Sequence, residues 1–583
     1  MADAWLVRTA LSDRYPFYTR ANVGEVFPDP VAPATFSFGF QNADGLGGAE
    51  LGFRDAFYRI GAFEPDELPG DECVFLGVAG GYCYLNASAL RILGHRAPDM
   101  TAQDIDDAFF GDAPGVPAFE ARPGDDRPDL TARIGETFEW VFSATELTRA
   151  AEHEAMVNRL RAERPDLTAM SDRELLDHGW GLTTTHFREL FAEHILVTFL
   201  ASLPLTVVTK VATAVGDPSA VLRLIAGLGD VESAAPSMAM WDLGREVASS
   251  SALTRYFDQG HRGLDSRLRA SGQEEVQAWV AAFDEFGLRF GSRGPNEWET
   301  RSPTWETHPD LALAAIDRMR VSPPGASPHE HHAVLVANRE ALASSMAERL
   351  SGDPAIQAQF GAAVSAAGVF VPGRERTKTN CIKLIHELRV ALREWGRRCH
   401  ERGAFPRIES YGMLTRSEAY GLVDDPAGWR ERLESREALY DEVKGLQEPF
   451  LFVGEPAPMS TYRRRDEAKV ELELAGAVLQ GIPGCPGTAQ GRARVVLDPH
   501  DPTALGPGDI LVAPITDPSW TPLFVGAGAV VVDVGAPLSH AIIVSRELGI
   551  PCVVSLTDAT RRIPDGALIE VDGDTGKVTV IET

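Results

Sequence analysis

Gly535-Ala536-Pro537-Leu538-Ser539-His540-Ala541-Ile542-Ile543-Val544-Ser545-Arg546-Glu547-Leu548-Gly549-Ile550-Pro551 is the stretch on which the reading of this chain turns. A Gly/Pro turn delivers Ser539 and then a histidine to the start of a short helix. Apolar residues run from Ala541 to Val544, and Gly549 followed by Pro551 supplies the stop. Neutral imidazole is a good nucleophile, and a helix N-terminus offers free N–H groups and positive dipole to an anion. The same dipole favours the uncharged ring. The spacing thus predicts a histidine equipped to carry a phosphoryl group. A lone histidine in such a place more often reads as a core or capping side chain, so the flanking sequence decides.

Those flanks predict a compact β/α domain over 479–583. Short β-rich runs, Ala493–Leu497, Ile510–Ala513, Ala529–Val534, Pro551–Leu556, Leu568–Val571 and Val578–Ile581, alternate with turns. A second short helix is expected to start at Asp517 as N-cap with Pro518 as first helical residue. Upstream, residues 126–452 read as helical. Ile385, Leu388, Leu392, Trp395 and Cys399 form one apolar stripe over Lys378–Arg402, stopped by Gly403. Further helices are expected near 173–200, 274–290, 309–320 and 331–350. Residues 1–125, rich in Gly, Pro and aromatics, read as mixed strands and loops. Residues 453–478, with Gly454, Pro456 and Pro458 and a polar run from Thr461 to Lys469, read as a linker or hinge. The fold class is therefore multidomain α+β: a mostly helical region followed by a small C-terminal β/α domain.

The formal charge of -29 argues against a nucleic-acid partner, which needs a basic face, and against an anionic membrane surface. Six scattered cysteines form no CxxC pair and fit reduced thiols in a cytoplasmic protein. Asp3 and Arg8 leave no signal-peptide core at the start. The apolar run from Ile195 to Val208, interrupted by Pro204, is too short for a bilayer span and reads as a buried helix.

The 535–551 stretch resembles the phosphohistidine signature of the phosphoenolpyruvate-utilising enzymes: pyruvate phosphate dikinase, phosphoenolpyruvate synthase and rifampin phosphotransferase. The run from Gly508 to Phe524, with Asp517, Trp520 and Thr521, is most similar to the rifampin phosphotransferase branch. So are Gly484–Arg494 and the tail Asp565–Gly573. One departure is Leu538, where many members carry Thr two residues before the histidine. It puts that regulatory site in doubt and leaves the carrier role intact. The resemblance implies a swivelling β/β/α phosphohistidine domain, with Gly535, Ser539, Arg546, Asp517, Trp520 and Thr521 supporting His540.

Other segments resemble the substrate-binding region of the same proteins. Arg20–Pro33, with Asn22 and Glu25, and Gly80–Asn86 are two such pieces. Arg374-Glu375-Arg376-Thr377-Lys378 is similar to an Arg-Glu-x-x-Lys stretch near the family's acceptor site. Arg374 and Lys378, one turn apart at the expected start of the long helix, are candidate clamps for a transferring phosphoryl group. Phe290–Glu297, followed by Pro303, Trp305 and Glu306, resembles a turn that presents an arginine and a glutamate. Glu297 is a candidate base positioned by Arg293, and an Arg293–Glu297 structural ion pair explains the spacing equally well. Trp180, Phe187 and Phe191 suit a hydrophobic acceptor pocket or a plain core. His329-Glu330-His331-His332 follows a Ser/Pro/Gly loop and reads as exposed loop, and no metal site is assigned.

The cycle implied by the resemblance needs ATP. An ATP-grasp module passes the β-phosphate to the histidine, which delivers it to a hydroxyl. No Gly-rich phosphate loop with a following Lys occurs in this sequence, nor the strand–helix alternation of a (β/α)₈ barrel. The expectation is a phosphotransferase half that receives its phosphoryl group from a separate ATP-grasp partner, with Mg²⁺ on that partner or on this chain. Its acceptor would be a small hydroxylated, hydrophobic molecule. Two other readings stand beside it: a dehydratase or lyase that eliminates the phosphorylated hydroxyl, and a non-catalytic binding protein.

Overall fold

The computed structural model describes residues 5–111, 115–217, 220–228, 235–465, 472–497, 505–506, 508–517, 520–535 and 539–583. The chain forms two compact units interleaved in sequence. One comprises Met1–Leu203, Trp298–Ser302 and Arg376–Lys469, and the other Pro204–Glu297, Pro303–Glu375 and Val470–Thr583. This partition differs from the expected succession of 1–125, 126–452 and 479–583. Hydrophobic periodicity identifies elements but not which of them share a core.

The first unit contains a four-stranded antiparallel sheet ordered Leu76–Ala79, Tyr82–Asn86, Phe17–Thr19, Leu451–Val453. Its principal helix, Asp172–Leu200, starts at a capping box in which Ser171 and Glu174 satisfy each other's backbone N–H groups. It lies against helix Gly48–Ile60, and Gly52 is what lets them approach. A Cβ there would stand 2.8 Å from the Arg188 carbonyl oxygen. Helical segment Asp172–Ala214 and helix Pro354–Glu401 are long and apolar enough to cross a membrane by length and composition, so the 195–208 run understated the apolar stretch. The share of the apolar window buried inside the protein is 50% and 33%, respectively.

The second unit joins a helical body to the C-terminal sheet. Glu274–Phe290 and Pro309–Val321 close around Trp241, Trp279, Phe283 and Trp305, with Trp279 and Phe283 stacked at 5.5 Å. The long helix runs Pro354–Glu401, far upstream of its expected start at Lys378, and holds Pro372 inside it. Proline disfavours but does not forbid a helix interior where packing compensates. Arg374 and Lys378 are therefore mid-helix, without the free N–H groups of a helix start. His329–His332 likewise lie in the first turn of helix Pro328–Arg349, capped by Ser327, and not in a loop.

The C-terminal sheet has eight strands in the order 482–485, 552–554, 529–532, 510–513, 488–495, 568–572, 577–582, 478–480. The second to fifth of these, Cys552–Val554, Ala529–Val532, Ile510–Ala513 and Thr488–Val495, are parallel. Alternation builds both faces. Leu511, Ala513, Val530, Val532, Cys552 and Val554 point to one core, and Ile510, Val512, Ala529, Val531 and Val553 to the other. Parallel neighbours require crossovers. Helices Thr521–Phe524 and His540–Leu548 lie in two of them.

The run expected as linker is partly built in. Arg465 donates from its backbone N–H to the Gly445 carbonyl, and Glu473 does the same to the Arg562 carbonyl. Leu538 lies outside the described residues, as does Pro518. The helix start expected at Asp517 and Pro518 therefore falls largely outside the described residues. What is described is helix Thr521–Phe524, with Trp520 in its cap position and the Trp520 N–H bonded to the Asp517 carbonyl at 2.9 Å.

The tail motif Asp572-Gly573 shows why glycine stands there: a Cβ on Gly573 would fall 1.9 Å from the Cys485 carbonyl oxygen. Gly573→Ala is expected to lower unfolding free energy by ~2–4 kcal/mol, because backbone must move. Denaturant titration of the full chain checks this, and an unchanged midpoint would refute it.

Candidate functional site

His540 is the first residue of helix His540–Leu548, with Ser539 as N-cap at φ -69, ψ 159 and Gly549 left-handed at the C-cap. It follows strand Ala529–Val532, at the carboxyl end of the parallel strands, where open α/β sheets bind ligands. The ring is half-buried and held on both edges. Nδ1 lies 3.2 Å from Thr516 Oγ1, and Nε2 lies 3.2 Å from Thr521 Oγ1. The Phe524 ring meets it nearly edge-on, with centroids 5.9 Å apart at 82°. Both threonines are buried, so short helix Thr521–Phe524 offers a hydroxyl and a ring from one side.

Between the threonines, Asp517 accepts a hydrogen bond from the Asn296 backbone N–H at 3.0 Å. This ties the His540 surroundings to the turn that carries Arg293 and Glu297. In that turn Arg293 Nε and Glu297 Oε2 are 3.0 Å apart and each side chain is 2% exposed. The Trp305 N–H bonds to the Arg293 carbonyl and the Glu306 N–H to the Gly291 carbonyl. Gly294 is required, since a Cβ would stand 2.3 Å from the Pro303 carbonyl oxygen. The same two parts meet at Val525, which packs on the helical body's core, and at His332, 3.9 Å from Glu547.

The supporting residues divide. Gly535 is fixed by close approach, its Cβ position lying 2.8 Å from Val554 Cβ. Trp520 is buried in the sheet core, and Arg546 is buried against Glu547 at 3.2 Å. Arg374 belongs to the second unit, beside Glu375 at 3.5 Å. Lys378, Asn22, Glu25, Trp180, Phe187 and Phe191 belong to the first. There Trp180 and Phe187 are core side chains, 2% and 1% exposed. Phe191 packs edge-on against Trp298 at 5.8 Å, and His194 lies against the same indole at 5.7 Å. Asn22 is exposed and strained, with φ 65 in a non-glycine residue.

Sequence reasoning missed Thr516. Nothing about one more hydroxyl in a loop signals it until the loop is seen to pass the imidazole. It also missed Glu299, a fully buried carboxylate whose protonated form is favoured by burial. Glu299 accepts hydrogen bonds from the Ala32 N–H at 3.1 Å and the Thr35 hydroxyl at 2.5 Å.

These features match known domains. Residues 193–375 match the family described as rifampicin phosphotransferase fourth domain, and residues 505–576 match the PEP-utilising enzyme, mobile domain. These two regions are thus similar to domains of the rifampicin phosphotransferase-like, PEP-utilising proteins, and both lie almost wholly in the second unit. An uncharacterised protein of Mycobacterium tuberculosis is 27% identical over 609 residues, covering 98% of this chain and 62% of the relative. The prodigiosin synthesizing transferase PigC of Serratia marcescens is 25% identical over 613 residues, covering 99% and 64%. A rifampicin phosphotransferase of Streptomyces sviceus is 28% identical over 322 residues, covering 54% and 36%. The chain spans less than two thirds of the length of each of these relatives.

Asp533 anchors the loop that leads to His540. Its carboxylate accepts from the Thr560 N–H at 2.8 Å and the Thr560 hydroxyl at 2.5 Å, while Ser555 donates to the Gly535 carbonyl. Burial pushes the Asp533 carboxyl up to about 6, with the Thr560 bonds opposing. Between about pH 4 and 6 the folded state then holds a proton the unfolded chain has released, so stability falls as pH rises through that window. Asp533→Asn lacks this titration. At ~1.4 kcal/mol per unit, it is expected to gain up to ~3 kcal/mol on the wild type between pH 4 and 7. Melting temperatures across that range check it, and parallel curves would refute it.

Proposed function

We propose that the chain is the carrier-and-acceptor part of a phosphotransferase. The observation that carries the reading is His540 itself: an imidazole at a helix start, at the carboxyl end of parallel strands, with a hydroxyl on each ring nitrogen. The domain matches support it. A separate ATP-grasp chain, binding ATP with Mg²⁺, is proposed to load the ring. A ring-nitrogen lone pair forms the N–P bond as the donor P–O bond breaks. The acceptor hydroxyl oxygen then attacks phosphorus, the N–P bond breaks, and the hydroxyl proton passes to a base. Helix-start N–H groups favour the added negative charge.

The acceptor is proposed to be a small, hydrophobic hydroxylated compound, with Asn22, Glu25 and the Phe187–Phe191 surroundings contributing to its recognition. Arg374 and Lys378 are proposed to neutralise charge on the transferring group. One histidine serving two sites needs a domain movement, which this reading assigns to a pivot within 453–478. Six free cysteines, all buried, are in keeping with a cytoplasmic setting.

Loading is tested with β-³²P-ATP and a host extract depleted of this protein, comparing the full chain with His540→Ala. Acid-labile, base-stable label on the wild type alone is expected. Equal label on both proteins, or none on either, would overturn the proposal.

The buried ion pair favours a bracing role for Glu297 over a base. Glu297→Gln leaves Arg293 buried without its counter-charge, so the expected result is a loss of ~3–5 kcal/mol in stability. Unchanged denaturation with impaired transfer from His540 would instead identify Glu297 as the base.

A further inference from the structure

We propose that Thr521 is the positioning residue that fixes the reacting nitrogen of His540 and stays with the phosphoryl group after transfer. The inference rests on the carrier reading above. Neutral imidazole has one N–H and one lone pair, and a threonine hydroxyl can serve either. Nδ1 adjoins the ring carbon that bears the main chain, so a phosphoryl group there would crowd the residue's own backbone. Nε2 is flanked by two C–H carbons and is the accessible nucleophile. With Thr516 accepting from the Nδ1 proton, Thr521 is left to donate to the Nε2 lone pair at 3.2 Å.

Thr521 is 2% exposed, and Phe524, three residues on, lies against the same imidazole. The hydroxyl therefore meets little competition from solvent. When Nε2 bonds to phosphorus its lone pair is consumed. Phosphorus takes the lone-pair axis, so the Thr521 hydroxyl swings off that axis and donates to a phosphoryl oxygen, where the acceptor is charged and the hydrogen bond stronger. The hydrogen bond that holds the resting ring thus becomes one that favours loading.

The test uses phosphoramidate, which needs no partner chain. The Nε2 lone pair forms the new N–P bond, the phosphoramidate P–N bond breaks, ammonia leaves, and the Nδ1 proton remains on the ring. Full-length wild type, Thr521→Ser, Thr521→Val and His540→Ala are followed by ³¹P NMR, which separates the two phosphohistidine isomers. Expected is one Nε2-phosphohistidine signal in wild type, retained by Thr521→Ser. Thr521→Val should load about tenfold more slowly or worse, the cost of one charge-assisted hydrogen bond. Valine is isosteric, and an unchanged melting temperature in the variant removes misfolding as the cause. Wild-type rate in Thr521→Val, or label on Nδ1 in wild type, would overturn the inference. Equal labelling of wild type and His540→Ala would instead bring down the carrier reading on which it stands.

Discussion

Under the proposed carrier role, an imidazole that is to exchange a lone pair for a phosphoryl group must be held without being sealed. Here a hydroxyl lies within hydrogen-bond distance of each ring nitrogen, and the C-terminal sheet brings both to the imidazole. Thr516 and Thr521 come from the crossover after Ile510–Ala513, and His540 from the crossover after Ala529–Val532. Because these two strands are parallel and adjacent, their crossovers leave from the same end of the sheet side by side. The parallel core is thus a condition of the histidine's geometry as well as its support. The left-handed backbone of Ser555 and Asp558 has the same sense, since it lies in the segment that anchors the loop through Gly535 and Asp533.

Charge is buried here on terms that polar partners set. Arg293 with Glu297 and Arg546 with Glu547 are taken out of water as pairs, and each pair sits where the helical body and the C-terminal sheet come near one another. Such pairs contribute little net stability compared with apolar residues of the same shape, but removing one partner is costly. They therefore specify arrangement. The turn from Gly291 to Glu297 is held by this pair and by close backbone packing, and it offers one N–H, that of Asn296, to the segment between the two threonines.

Much of the C-terminal domain was legible because alternation of β-branched residues is a local signal. Six runs read as strands all correspond to observed strands, and the His540 helix begins and ends where Ser539 and Gly549 indicate. Val478–Gln480 and Ile482–Cys485 were not read as strands. They are three and four residues long, with exposed positions and a proline, and their strand character comes only from pairing. Pro372 hid the true length of the long helix, and the Ser/Pro/Gly loop hid the helix that begins at Pro328. His540 was legible from its flanks. Thr516 was not, because its role exists only in three dimensions. The two-unit partition was beyond reach for the same reason.

The sheet of the first unit carries a consequence for how the chain is made. Strand Phe17–Thr19 pairs with Leu451–Val453, and the Thr19 hydroxyl reaches a carbonyl 431 positions away at Phe450. A ribosome must therefore add 431 further residues after Thr19 before that edge can be closed. The helical body, nearly continuous within 204–375, emerges earlier and can gain structure first. Strand Phe17–Thr19 thus lacks its Leu451–Val453 neighbour through that period, in which chaperones and translation speed would shape the yield of folded protein.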